Sequence, residues 1–201
     1  MTSAADNAKR HQQRQQKLQQ TVAGKVAAAT DERGVLMVLT GNGKGKTTAA
    51  IGTVTRAVGH GKKAAVVQFI KGNWECGERN LLAANGVLFD VMATGFTWDT
   101  QDKEADIAAA QETWQQALLR LQDPTIDLVV LDELTYMLSY HYLAVDDVVA
   151  AIEQRPTHQH VIVTGRACHR KLTTLADTVS EVKPIKHAFD AGIKAQVGFD
   201  Y

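Results

Sequence analysis

Residues Val35–Thr40 are apolar at nearly every position, and they run directly into Gly41-Asn42-Gly43-Lys44-Gly45-Lys46-Thr47-Thr48. An uninterrupted apolar run of this length reads as a strand buried on both faces. Glycines allow the following backbone to fold tightly with its N–H groups turned inward. Those amides, with the helix N-terminus beyond them, form an anion cradle. Lys46 adds a charged contact to phosphate, and the Thr47 hydroxyl is placed to ligate Mg²⁺ or Mn²⁺. The motif departs from G-x-x-x-x-G-K-[ST] at its first position, where this chain carries Thr40. Counted from Gly41 the loop is one residue short, which leaves open which phosphate each amide holds. The alternative is a Gly-rich turn without a ligand; strand before and helix after favour the phosphate loop.

The remainder of the chain alternates short apolar runs with helical stretches. Strands are expected at Val35–Thr40, Lys63–Phe69, Val87–Met92, Ile126–Leu131, His160–Thr164 and Thr178–Val182. Helices are expected at Thr47–Val58, Glu78–Ala84, Asp102–Leu121, Val145–Glu153 and Lys171–Ala176. Alternation of this kind predicts an α/β domain with a mostly parallel sheet of about six strands and helices on both faces. Residues 1–33 stand apart from the domain at 34–201. His11–Gln20 has only Leu18 as an apolar residue and therefore no face to bury in a monomer. It reads either as a solvated, partly disordered or helical arm, or as an arm that docks over a ligand or a neighbouring subunit.

A second acidic signal follows the run Leu128-Val129-Val130-Leu131, which ends in Asp132-Glu133. Carboxylates at the C-terminal end of a buried strand lie where open α/β sheets bind ligands. An apolar strand ending in Asp is the Walker B arrangement, which brings a carboxylate to the metal. Glu133 is assigned the direct metal contact and Asp132 a supporting role behind Thr47 or a water. Capping of a helix is the other use of such residues. Arg166, just past the His160–Thr164 strand, belongs to the same sheet edge and reads either as a phosphate ligand or as a surface ion pair. Arg56, on the helix after the loop, is a weaker candidate of the same type. The histidines lack paired metal-ligand spacing such as H-x-x-x-H, and none is assigned to a metal.

A triphosphate site does not name a reaction. Taken together, Gly41–Thr48, Ala57–Lys62, Val67–Gly72, Gly77–Asn80, Met92–Trp98, Leu131–Tyr136, Thr164–Arg166 and Lys186–Gly192 resemble the P-loop type of ATP:corrinoid adenosyltransferase. The resemblance covers nearly everything after residue 30. It implies a RecA-like P-loop fold. It also implies that a corrinoid cobalt(I) attacks the 5′ carbon of ATP and releases inorganic triphosphate, in adenosylcobalamin biosynthesis or salvage. The shortened loop and a reversed ATP are features of that family, so Thr40 agrees with the resemblance. Lys46, Glu133, Phe96 and Trp98 would be the catalytic residues. The loop residues Gly41, Asn42, Gly43, Lys44, Gly45, Lys46, Thr47 and Thr48, with Arg56 and Arg166, would hold ATP. Phe96 and Trp98 match the aromatic wall that keeps a lower ligand off cobalt; read without the resemblance, they are loop or core anchors. A reduced flavin protein is implied as electron donor, and a homodimer as the assembly.

Other functions are weighed against this one. An ordinary P-loop phosphotransferase or NTPase would produce ADP, and a RecA-like module switched by ATP would do no chemistry on a small molecule. Lys+Arg and Asp+Glu are both 22, so the chain has no net basic charge to drive binding to nucleic acid. No apolar run approaches the roughly 20 residues of a membrane helix, and the Gln-rich N-terminus has no apolar signal core. Cys76 and Cys168 are in no CxxC pair and read as reduced thiols. A cytoplasmic enzyme with no membrane partner is therefore expected.

Overall fold

The computed structural model describes residues 4–70, 76–92 and 102–200. The chain divides into two units, Met1–Glu32 and Arg33–Tyr201. In the first, helix α1 (Ala4–Ala28) has Leu18, Val22 and Val26 exposed along one side at a spacing of four residues. Polar residues dominate the rest of it, as expected of a helix with no packed face.

The second unit alternates strands and helices: β1 (Leu36–Thr40), α2 (Lys46–Gly59), β2 (Ala64–Gln68), α3 (Gly77–Ala84), β3 (Leu88–Val91) and α4 (Lys103–Gln122). Then follow β4 (Leu128–Asp132), α5 (Leu134–Ser139), α6 (Val145–Glu153), β5 (His160–Thr164), α7 (Arg170–Leu175) and β6 (Thr178–Glu181). The six strands lie in the order β3-β2-β4-β5-β1-β6, and each neighbouring pair is parallel. Strand β5 separates β1, which leads into the glycine loop, from β4, which ends in Asp132. An all-parallel six-stranded sheet between helices is the α/β class that the alternating sequence predicts. Beyond β6 the described residues add a short 3-10 turn, Phe189–Ala191.

The two-residue period of the strands divides the core. Val129, Leu131, Val161 and Val163 face α4, α5, α6 and α7 and pack with Trp114, Leu121, Met137 and Ile152. Their neighbours Leu128, Val130 and Ile162 face the other way, onto Ala50, Ile51 and Val54 of α2 and Leu82 of α3. Both faces are therefore covered, which is why β2 and β4 read as continuous apolar runs.

Element ends moved by one or two residues from expectation, and β5 and α6 fall where the sequence put them. Helix α5 was not expected. It follows β4 after Glu133 alone, whose backbone is left-handed at φ 59°. No Ser, Thr, Asp or Asn side chain caps it, so the sequence carries no start signal there.

Far from the loop, Asp177 fastens the start of β1. It accepts two bonds from Arg33, at 2.6 and 3.0 Å, and one from Leu36 N at 2.8 Å. These bonds, with Arg33 beside it, hold its carboxyl down at about 2.

Candidate nucleotide site

Strand β1 delivers the loop, and β6 packs behind it. Gly43 N donates to Val182 O at 2.8 Å, and Val182 N donates to Thr40 O at 2.8 Å. A Cβ at Gly41 would lie 2.4 Å from Val182 O, and one at Gly43 would lie 2.9 Å from Lys183 backbone. Gly41 also sits at φ 102°. Both positions therefore require glycine, and the loop is pinned from behind while its other side stays open.

The open side forms a cavity of about 320 Å³. Asn42, Gly43, Lys44, Gly45, Lys46, Thr47 and Thr48 line it together with Glu133 and Arg166. Helix α2 starts directly under the loop, so its unpaired amides and the positive end of its dipole point at the same space. Lys46 is almost wholly buried, and its Nζ donates to Gly43 O at 2.9 Å. Burial pulls its pKa below the ordinary lysine value; Glu133 and Asp132 oppose that shift, while Arg166 adds to it. A buried cation beside a second cation is poised for an anion, because a bound polyphosphate relieves both the desolvation and the repulsion.

Asp132 organises the acidic side. Its Oδ1 accepts from the hydroxyls of Thr47 at 2.9 Å and Thr164 at 2.7 Å, and its Oδ2 accepts from Gln68 Nε2 at 3.1 Å. Four elements thus meet at one carboxylate: α2, β5, β2 and β4 itself. Since the Thr47 hydroxyl gives its proton to Asp132, its lone pairs remain for a cation. Thr164 in turn accepts from Glu133 N at 2.9 Å. The Glu133 carboxylate lies near Gly165, where a Cβ would be 3.2 Å from Oε2.

Not every expected residue arrives here. Gly41 supports the loop from behind and does not line the cavity, whereas Asp132 lies behind Thr47, where it was expected, and accepts from its hydroxyl. Arg56 is elsewhere: it lines a separate cavity of about 920 Å³ with His60, Met37 and Ile162. The reason is helical rise, since nine residues of helix separate Arg56 from Thr47 by roughly 14 Å. Phe96 and Trp98 lie outside the described residues. Conversely, Ile70, Glu78, Tyr136, His187 and Asp200 line the cavity without having been singled out. Asp200 is ion-paired with Lys44 and also accepts from Gln196 N at 2.9 Å. The stretches Gly77–Asn80, Leu131–Tyr136 and Lys186–Gly192 carry three of these residues, Glu78, Tyr136 and His187. That clustering was the available signal.

Among the described residues no group of three or more His, Cys, Asp and Glu side chains could hold a metal by itself. A cation here would rest on Thr47 and Glu133 and take its remaining oxygens from phosphate and water, which is how Mg²⁺ is commonly held. The donor set fits such an ion.

Comparison with known proteins agrees with this geometry. Residues 32–201 match the family described as ATP:corrinoid adenosyltransferase BtuR/CobO/CobP. The chain belongs to that family. A corrinoid adenosyltransferase of Escherichia coli (strain K12) is 64% identical over 192 residues, covering 96% of this chain and 98% of the relative. The corrinoid adenosyltransferase CobA of Salmonella typhimurium (strain LT2) is 62% identical over the same shares. One from Pseudomonas aeruginosa is 48% identical and covers both chains throughout. The chain is accordingly a transferase for ATP-dependent adenosylation of corrinoids, and a phosphotransferase or NTPase reading is not favoured. Among the described residues no helix is long and apolar enough to cross a membrane.

Proposed function

We propose that this adenosyltransferase joins the 5′ carbon of ATP to the cobalt of a corrinoid and releases inorganic triphosphate. Cobalt(I) supplies the electron pair for the new carbon–cobalt bond, so the metal becomes formally cobalt(III). The bond from C5′ to the α-phosphate oxygen breaks, and its pair leaves on the triphosphate. No protein base is needed, because the nucleophile carries no proton. The protein's main task is to hold charge growing on the leaving group.

The observation that carries this reading is the placing of Lys44, Lys46 and Arg166 around one cavity, over the N-terminus of α2. Lys46 and the loop amides bind the phosphates, and Arg166 meets them from the β5 side. Thr47 and Glu133 would hold Mg²⁺ or Mn²⁺, with Asp132 fixing the Thr47 hydroxyl. When bound, such an ion neutralises part of the triphosphate charge. Phe96 and Trp98 are assigned to the wall beneath the corrinoid, where a planar apolar surface offers cobalt no ligating atom.

Reduction of cobalt(II) to cobalt(I) takes one electron, assigned here to a reduced flavin protein. The working assembly is proposed to be a homodimer in the cytoplasm, where ATP and such a donor are both at hand. Adenosylcobalamin biosynthesis or salvage is the corresponding role.

The test is product analysis after incubation with Mg-ATP and chemically reduced cobalamin. Inorganic triphosphate in step with the adenosylated corrinoid is expected. ADP without triphosphate would overturn the proposal.

A further inference from the structure

The segment that carries Arg166 is held in an unusual conformation. Gly165 has φ 136° and Ala167 has φ 48°, so Arg166 lies between two left-handed residues. A non-glycine residue at positive φ costs energy and persists only where its surroundings impose it. Here the surroundings are three threonines. Thr164 donates to Asp132 Oδ1 at 2.7 Å and accepts from Glu133 N at 2.9 Å. Thr135, completely buried in α5, donates from Oγ1 to Arg166 O at 2.6 Å. Thr40, the residue standing where the usual loop begins with glycine, accepts from Cys168 N at 3.4 Å.

The fit around Thr135 is tight. A Cβ on Gly165 would lie 2.1 Å from its Oγ1, so only glycine lets the hydroxyl pass to the Arg166 carbonyl. The turn is therefore fastened at 164, 166 and 168, to β4, α5 and β1 respectively. Strands β4 and β1 lead into the acidic pair and the phosphate loop, and α5 starts directly after Glu133. Arg166 itself is exposed along the cavity wall. A long side chain in such a position has many rotamers, and its reach is set by where its backbone is held.

We infer that Thr135, seconded by Thr40, is a positioning residue for the reaction. Its hydroxyl fixes the Arg166 backbone so that the guanidinium meets the leaving triphosphate. This rests on the reading of Arg166 given above as a triphosphate contact. It also accounts for Thr40: the position lost as a loop glycine is used to hold the opposite wall.

The experiment compares Thr135→Val, Thr135→Ser, Arg166→Ala and the Thr135→Val/Arg166→Ala double variant. Each is assayed with Mg-ATP and chemically reduced cobalamin, and each is titrated calorimetrically with inorganic triphosphate. Misplacement of a charge-bearing group by about 1 Å costs on the order of tenfold to a hundredfold in rate. Thr135→Val is expected to lower kcat by about tenfold or more, with KM for ATP changed by less than about threefold. Thr135→Ser keeps the hydroxyl and is expected to retain the parental rate. In the Arg166→Ala background, Thr135→Val should add no further loss, as for two residues acting through one contact.

An equal loss from Thr135→Val in both backgrounds, or a Thr135→Ser variant as slow as Thr135→Val, would overturn the inference. If Arg166→Ala is slow and binds triphosphate weakly while Thr135→Val is normal, only the positioning role falls. If Arg166→Ala behaves as the parent in both assays, the assignment of Arg166 falls and takes the inference with it. Should Thr135→Val fail to fold, Thr40→Val against Thr40→Ser makes the same comparison through Cys168 N.

Discussion

Replacing Asp132 by Asn separates the two jobs of this carboxylate. It is nearly inaccessible and accepts three hydrogen bonds, from Thr47, Thr164 and Gln68. An amide of the same shape can keep the two hydroxyl donors on its oxygen. The third contact also survives, because Gln68 Oε1 is buried and finds no partner among the described residues. Rotating the Gln68 amide by half a turn presents that oxygen to the introduced N–H. Each bond then becomes neutral, and three such changes cost about 1 kcal/mol apiece. Removing a buried charge returns several kcal/mol of desolvation. The two nearly cancel, so Asp132→Asn should unfold within about 1 kcal/mol of the parent. Asp132→Ala instead strands two hydroxyls and an amide, at roughly 1–3 kcal/mol each, and should be destabilised by about 3 kcal/mol or more. Function should divide differently. Loss of a residue that orients a metal ligand typically costs about 10–100-fold in metal affinity. Asp132→Asn should therefore raise the Mg²⁺ concentration for half-maximal activity by about that factor, or ~1.4–2.7 kcal/mol. Urea unfolding and a Mg²⁺ titration at saturating ATP measure both quantities. A parental Mg²⁺ requirement, or a stability loss as large as that of Asp132→Ala, would show that Asp132 does not play these two parts.

Asp200 presents a negative charge to the cavity proposed to receive the triphosphate, and it is ion-paired with Lys44. Asp200→Asn should free Lys44 and tighten calorimetric binding of inorganic triphosphate by about two- to fivefold; unchanged or weaker binding would count against this. Lys46 titrates below the ordinary lysine value because it is buried, and its protonated form is the one that binds phosphate. ATP affinity should accordingly decline as pH rises toward 10.5, earlier than an exposed lysine would allow. Lys46→Arg, which stays charged, should flatten that decline even if its overall affinity is lower. Equal alkaline profiles for the two would dissociate the effect from Lys46.

The parts of this molecule that could be read from sequence are those in which residue type and period make the same demand. The run Leu128–Leu131 allows one structure, a strand buried on both faces, and its last position places Asp132 at the ligand edge. Gly41 and Gly43 announce close backbone approach, although only the structure reveals that Val182 and Lys183 make it. Arg56 lies apart from the loop, because nine helical residues carry it roughly 14 Å along α2 to the wall of another cavity. Helix α5 was hidden by its start, which depends on the left-handed backbone of Glu133 and on no capping side chain. Asp200 reaches the cavity through a segment with almost no periodic structure, so no pattern marked it.

The loop of this enzyme is built much like that of an enzyme that transfers phosphate, and the difference in outcome follows from which atom is left to react. A phosphotransferase must hold its phosphates and also bring a nucleophile to the terminal phosphorus in line with the bond that breaks. In the reaction proposed here Lys44, Lys46 and Arg166, which gather at one cavity, serve mainly to stabilise the triphosphate as it departs. In that proposal a nucleophile without a proton makes a general base superfluous, which would leave the acidic pair Asp132 and Glu133 for a cation and for the threonines Thr47 and Thr164. Thr47 and Thr164 bond to Asp132 at 2.9 and 2.7 Å, Thr164 also accepts from Glu133 N at 2.9 Å, and Thr135 and Thr40 hold the Arg166 turn at 2.6 and 3.4 Å. In that division of labour rigidity around the leaving group matters more than reach toward an acceptor. Four threonine hydroxyls binding the phosphate loop, the acidic strand and the Arg166 turn into one network are what that requirement would select.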